Sequence, residues 1–436
     1  MNYHNKLLPI AIASLGVLGN AAAAGAVNFN FTYAPGTTFE QKVGFEMAGQ
    51  IWSSYLQDDF TANIYIETTD SLAENVIGGA LPGIEAGKQY HEYRKKVEQD
   101  VTSTIDSIAM SGLDSLSHKY DVFQAVYNGK LVKDMNRLNV TRANAKAIGL
   151  ISDNSDLDGY ILMSDLSNIN ANWNYDVLGN TVSDNSLDFL SVALHEVGHV
   201  MGFVSGVDNS NWLNIMTEHE ANGDLIKRDR IKFFNPLDLY RFTEASAGMN
   251  AVDISIGGNS YFSIDGGITN SGNFATGQAI SAGGDGYQAS HWEKRDSDVL
   301  GIMDPVLGMG QKREITDLDL TVFDALGYDL SNSATLNWDS LYQTALTSAT
   351  LASTEDLTEQ VDKMIQDSSV YDTSDDEAYE WRGGWNQEAY FNQFSWQTVE
   401  LDAVAAEEAT SVPEPTTILG FLSLGLMGLR KLSRKK

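Results

Sequence analysis

The chain contains no cysteine. This excludes a disulfide framework and thiolate zinc ligands, so a transition metal could be held only by His, Asp or Glu. It also removes the residue from which redox compartment is usually read. Basic side chains are scarce: 28 Lys and Arg face 59 Asp and Glu, for a formal net charge of -31. Charge of that sign repels phosphate backbones and anionic headgroups, which argues against nucleic acid or an anionic lipid surface as partner. No fixed-period internal repeat runs through the 436 residues. With 43% hydrophobic residues, 38 Gly and 7 Pro, the composition is that of a globular protein able to build a sizeable core.

Long apolar runs are lacking as well, and two short ones lie at the ends. Lys6 precedes the apolar run 7–18, and small residues follow as far as Ala24-Gly25-Ala26, an A-x-A cleavage pattern. Residues 1–26 therefore read as a secretory signal, with the mature chain starting near Val27; a buried N-terminal helix is the plainer alternative. At the other end Val412-Pro413-Glu414-Pro415 precedes the apolar run 418–429 and the cluster Arg430, Lys431, Arg434, Lys435 and Lys436. Such a run spans roughly 18 Å as a helix, short of the ~30 Å hydrocarbon core, so it is a marginal, transient anchor. The basic cluster orients it with its end cytoplasmic. This ending resembles the PEP-CTERM sorting signal of Gram-negative bacteria. The resemblance implies export across the inner membrane, recognition by an exosortase-type sorting enzyme, and a final place at the cell surface, in the extracellular matrix or in the medium. An ordinary C-terminal anchor would put the body on the same side.

Between the ends, residues 28–33 alternate like a strand. Residues 38–56 carry helical spacing through Phe39, Val43, Phe45, Met47, Ile51, Trp52 and Tyr55, and 61–68 alternate again. That is a β-α-β opening. A long charged helix is expected over 90–110 and a short strand over 158–163. Residues 186–204 form the best helix in the chain, with Ser186 as N-cap, Asp188 in its first turn and Gly202 to stop it. Residues 205–330 are rich in glycine and loops and end in a helix over 315–326. From 331 to 411 the composition shifts to acidic, then to aromatic-rich over 381–396.

Within the best helix the sequence reads His195-Glu196-Val197-Gly198-His199. Histidines at i and i+4 share one face a turn apart, so both imidazoles can reach one Zn2+, and Glu196 is placed to take a proton from a zinc-bound water. A chance match on a buried helix with hydrogen-bonded histidines is the structural alternative. It would set two His and a Glu among Phe189, Leu190, Val192, Leu194, Val197 and Val200, which is costly unless they are paired. A catalytic zinc needs a third protein ligand and an open position. His91, His118, His219, His291 and Asp208 are available, with Glu218 and Glu220 beside His219. His291 stands out, in Ala289-Ser290-His291-Trp292 after the flexible 283–286 turn and shortly before Met303-Asp304-Pro305.

The extended motif H-E-x-x-H-x-x-G-F, the distant S-H-W, the M-D-P turn and Leu326-Gly327-Tyr328 resemble the leishmanolysin-type metzincins. That resemblance implies an α+β zincin fold, zinc-dependent endopeptidase activity on protein or peptide substrates, His291 as third ligand and Met303 as the Met-turn residue. A group of bacterial PEP-CTERM-bearing metallopeptidases is similar too, through Phe234-Asn235-Pro236-Leu237-Asp238-Leu239-Tyr240 and Tyr261-Phe262-Ser263-Ile264-Asp265-Gly266-Gly267. Two departures stand against the family pattern: Ser205 occupies the position where most metzincins carry their third His, and the disulfides of leishmanolysins are absent. On this reading 27–330 is the peptidase, divided into an upper subdomain 27–204 and a lower one 205–330. Residues 331–411 form an acidic extension, 412–436 the sorting signal, and the molecule is a monomer.

A weaker signal, Asn154-x-Asp156-x-Asp158-Gly159 with Asp165 beyond it, partly matches a calcium loop but lacks its final Glu, so Ca2+ is a second candidate cofactor. The plainer expectation is a polar turn feeding the strand that follows, which would border the substrate cleft. Two rival functions remain open: a catalytically idle zincin-fold surface or biofilm-matrix protein, and a binding module carried by 331–411.

Overall fold

The computed structural model describes residues 25–208, 233–331, 334–369 and 395–400, apart from Ser71, Glu74 and His118. Strand β1 (Asn28–Tyr33) leads into helix α1 (Phe39–Tyr55) through a reciprocal capping box. Gln41 N–H donates to the Thr38 hydroxyl and Thr38 N–H donates to Gln41 Oε1, which satisfies two amides that the first turn leaves without partners. Strand β2 (Thr61–Thr69) then pairs parallel to β1, with Asn28 opposite Thr61, so the expected β-α-β opening forms. Strand β3 (Val76–Pro82) follows, where Gly78, Gly79 and Pro82 hide the strand from any propensity argument.

The charged stretch expected as one helix over 90–110 is two, α2 (Tyr90–Gln99) and α3 (Thr104–Ser115). The break has a local cause. Ser103 is extended and its hydroxyl accepts from Asp106 N–H while Asp106 accepts from Ser103 N–H, and this second capping box starts a new helix. Helix α4 (Arg142–Ala147), strand β4 (Gly159–Ser164) and helix α5 (Phe189–Met201) follow, with shorter strands between them. Then come β5 (Val306–Gly308), α6 (Asp317–Ala325), α7 (Trp338–Leu351), β6 (Ser353–Thr354), α8 (Thr358–Ser369) and β7 (Ser395–Glu400).

The protein is a mixed α+β structure with several sheets, the largest of seven strands in the order β5-β7-β3-β4-β2-β1-β6. Pairings are parallel except around β3, which runs antiparallel to both β4 and β7. Side chains alternate across this sheet as strand geometry requires. Ala62, Ile64, Ile66, Ile161 and Met163 enter the larger core with α1 and α5, whereas Tyr65 and Leu162 meet Val361, Met364 and Ile365 of α8 on the other face. Segments beyond residue 331 thus supply a helix over one face and two strands of the main sheet.

Helix α5 is clamped onto α1. Phe45 meets Phe189 edge-on at 5.6 Å between ring centroids, and the Trp52 indole donates to Leu194 O at 3.0 Å. Phe45 and Phe189 are fully buried, a contribution of roughly 1.5–3 kcal/mol each. The chemistry-bearing helix therefore lies in the centre of the core.

Candidate metal centre

Helix α5 starts later than the sequence suggests. Residues Ser186–Asp188 form a short strand paired parallel with Asn172–Asn174, so Ser186 does not cap the helix. Asp188 does: its carboxylate accepts from Ser191 N–H at 3.1 Å and from the Ser191 hydroxyl at 2.8 Å. At the other end Gly202 takes φ 128°, a conformation costly for any residue with a side chain, and the chain leaves the helix there.

Every residue of α5 is buried, and His195, Glu196 and His199 are fully so. Imidazoles and a carboxyl in such a place demand partners. The structure brings His291, 92 residues beyond His199, onto the same point. The three Nε2 atoms stand 2.9 Å (His195 to His199), 3.2 Å (His195 to His291) and 3.2 Å (His199 to His291) apart. These approaches are not hydrogen bonds. His195 Nδ1 donates to Ile302 O at 2.8 Å, His199 Nδ1 to Phe203 O at 2.7 Å and His291 Nδ1 to Gln288 O at 3.1 Å. A carbonyl can only accept, so each ring carries its proton on Nδ1 and a lone pair on Nε2. Three lone pairs converge with no donor between them among the described residues.

Burial keeps the rings in that neutral, ligating form. It pushes His195 down to about 4, against the pull of the Ile302 carbonyl, and holds His199 and His291 well below the usual imidazole range with help from the neighbouring rings. Nitrogens arranged tetrahedrally around zinc at 2.0–2.1 Å stand about 3.3 Å apart, close to the observed edges. The donor set thus fits a divalent metal of that size. The Nδ1–carbonyl bonds are the outer contacts that fix the tautomer of metal-ligating histidines. Among the described residues this is the group of His and acidic side chains gathered tightly enough to hold an ion.

Glu196 lies beside it. Burial raises its carboxyl well above the usual range, and neither oxygen has a hydrogen-bond partner among the described residues. Strand β3 presses on it: a Cβ on Gly78 would fall 2.6 Å from Glu196 Oε1. The strand expected to border this region, 160–163, instead lies inside the sheet, with β3 between it and β7. Met303 is fully buried beneath the helix, where a Cβ on Gly198 would fall 2.6 Å from its sulfur. Its neighbour Ile302 supplies the carbonyl to His195, and Met303 O accepts from Trp292 N–H at 3.0 Å, so one stretch of backbone supports two of the rings.

The other sequence candidates are elsewhere. Asp208 is half-buried, and its carboxylate accepts from Gln278 N–H at 2.9 Å and Ala289 N–H at 2.6 Å. It ties down the loop that delivers His291 and is not among the converging ligand atoms. His91 is exposed on α2, and His118, Glu218, His219 and Glu220 lie outside the described residues. At the suspected calcium loop, the buried ammonium of Lys146 donates to Thr61 O, Asn154 O and Asp158 Oδ2, so those oxygens already share a cation.

Two supporting carboxylates escaped the sequence reading. Asp319 accepts from the Trp292 indole at 2.8 Å, Ile302 N–H at 2.9 Å and Thr316 N–H at 2.8 Å, joining the His291 and Met303 segments. Its signal was the capping pattern Thr316-x-x-Asp319. Asp238 accepts from the Ser205 hydroxyl at 2.6 Å and from Gly206 and Asn235 N–H, which holds the chain leaving Gly202.

Comparison with protein families matches residues 411–435 to the PEP-CTERM protein-sorting motif. The motif marks an exported protein processed at its C-terminus and recognised there by an exosortase. No curated protein and no solved structure matches the chain. No helix among the described residues is long and apolar enough to cross a membrane. The apolar run 418–429 and most of the N-terminal signal lie outside the described residues.

Proposed function

We propose that this protein is a zincin-type, zinc-dependent endopeptidase that works outside the inner membrane, at the cell surface, in the matrix or in the medium. The observation that carries the reading is the convergence of three Nε2 lone pairs beside a fully buried Glu196 whose oxygens have no partner among the described residues. Three histidine ligands, the set gathered among the described residues, match the composition of a catalytic site with one open position. His195, His199 and His291 would hold Zn2+, which when bound polarises a scissile carbonyl and makes water more acidic.

The chain's own residues do the rest. Glu196 is the general base: its oxygens have no hydrogen-bond partner among the described residues, and burial raises its carboxyl well above the usual range, which favours the proton-bound form that a base must reach. It takes the proton of the attacking water and returns it to the leaving amine. Ile302, Phe203 and Gln288 hold the rings in the ligating tautomer through their carbonyls, and Met303 fills the space under Gly198 so that the helix cannot settle lower.

The test is metal analysis of the purified chain together with casein digestion, in the wild type and in Glu196→Gln. One zinc per chain is expected in both, with digestion reduced about 10²–10⁴-fold in the variant. Casein digestion by Glu196→Gln at the wild-type rate, or a chain that takes up no zinc, rejects the reading.

A further inference from the structure

Strand β7 comes from the far end of the chain and lies where a polypeptide substrate would have to lie. It is inserted between β3 and β5. Against β3 it runs antiparallel, with Ser395 opposite Ala80, Trp396 opposite Gly79 and Gln397 opposite Gly78; against β5 it runs parallel, with Thr398 opposite Val306 and Val399 opposite Leu307. Gly78 is the residue whose missing side chain makes room for Glu196 Oε1. The position opposite it, held by Gln397, is therefore the point where an extended chain passes the base.

Both walls of this groove belong to the candidate site. Trp396 N–H donates to Gln288 Oε1 at 2.7 Å, and the carbonyl of Gln288 accepts from the ligand His291. Thr398 N–H donates to Pro305 O at 3.0 Å, two residues past Met303. Gln397 is fully buried, its amide donating to Asp304 O at 3.4 Å. The Trp396 ring covers Gly79, where a Cβ would fall 2.2 Å from it. Gly78 and Gly79 thus let an extended backbone approach both the base and a large side chain.

We infer that the groove between β3 and β5 is the site for an extended polypeptide substrate, captured by strand addition, and that β7 is an intramolecular occupant which keeps the resting enzyme closed. The inference rests on the peptidase reading above. Strand addition binds through main-chain hydrogen bonds, so the groove accepts segments of many sequences provided they are extended. A tethered occupant competes at an effective concentration in the millimolar range, so free peptides enter only after β7 leaves.

The experiment uses the full chain carrying Glu196→Gln, so that bound peptide is not consumed. A fluorescein-labelled synthetic peptide of residues 393–402 is titrated by anisotropy against that chain with β7 intact and with Thr398→Pro. Proline deletes the N–H given to Pro305 O and cannot sit in the middle of a sheet. Release of the tethered strand is expected to tighten peptide binding about 100-fold. Equal affinity for the two chains, or no binding by a Thr398→Pro chain that still melts cooperatively, overturns the inference. If Thr398→Pro does not fold, Trp396→Ala, which uncovers Gly79, carries the same comparison. Casein digestion by the Glu196-containing pair separates the two proposals. Tighter peptide binding with no digestion by either chain rejects the peptidase and leaves the groove. Equal digestion with equal binding rejects the closed state and leaves the peptidase.

Discussion

Replacing His291 by alanine separates a ligand from a residue that merely positions one. The three Nε2 atoms are within 3.2 Å of one another, so removal of one leaves a two-imidazole site. Structural zinc sites with four protein ligands bind with about 10–16 kcal/mol, which is roughly 2.5–4 kcal/mol per ligand. His291→Ala should therefore weaken zinc by about 10²–10³-fold. At fixed free zinc, that difference removes about 2.7–4.1 kcal/mol of metal-induced stabilisation. Asp208→Ala behaves differently. It strips the acceptor from the N–H groups of exposed Gln278 and buried Ala289, at a cost of about 1–3 kcal/mol for the buried donor left unpaired, with or without metal. Thermal melts with and without added zinc, with zinc counted per chain, give the readout. The wild type and Asp208→Ala should gain similar increments from zinc, Asp208→Ala from a lower baseline, while His291→Ala gains little. A full zinc increment in His291→Ala, with the increment lost in Asp208→Ala, would refute the assignment.

Three more expectations follow from the same contacts. Gly198→Ala places a Cβ against the Met303 sulfur and should cost about 1–3 kcal/mol in chemical denaturation; an unchanged midpoint would mean that Met303 does not pack under the helix. Burial, followed by the nearby Asp329 and Asp100, pushes Asp58 up to about 8 from 3.8, so its contribution to stability is complete below about pH 4 and is lost as pH rises through about 8. Asp58→Asn stays neutral throughout, so its gain over the wild type in melting curves should be larger at pH 8 than at pH 5. Mass spectrometry of the exported protein should find no peptide containing 430–436, and recovery of a peptide ending at Lys436 would argue against processing at the sorting motif.

What the sequence determined by itself was local. The spacing of His195 and His199, Glu196 between them, the apolar face of α5 and the stop at Gly202 all depend on contacts within a few residues, where helical geometry alone places side chains. The capping boxes at Thr38 and Thr316 are of the same kind, and so was the C-terminal sorting motif. The break between α2 and α3 was written there too, in Ser103 and Asp106, but charge periodicity across it suggested a single helix.

Tertiary structure decided the rest. From residue types, His291 was one of several candidate ligands; only the fold carries it 92 residues back to His199 and turns Asp208 away into a backbone clamp. Strand β3 was illegible because its glycines make room for Glu196 and Trp396, groups on distant elements whose pressure leaves no mark on propensity. The place of β7 between β3 and β5 was illegible for a related reason. Main-chain hydrogen bonding is common to all sequences, so a strand records that it will pair but not with whom; the choice of partner falls to whichever edges the packed core leaves open.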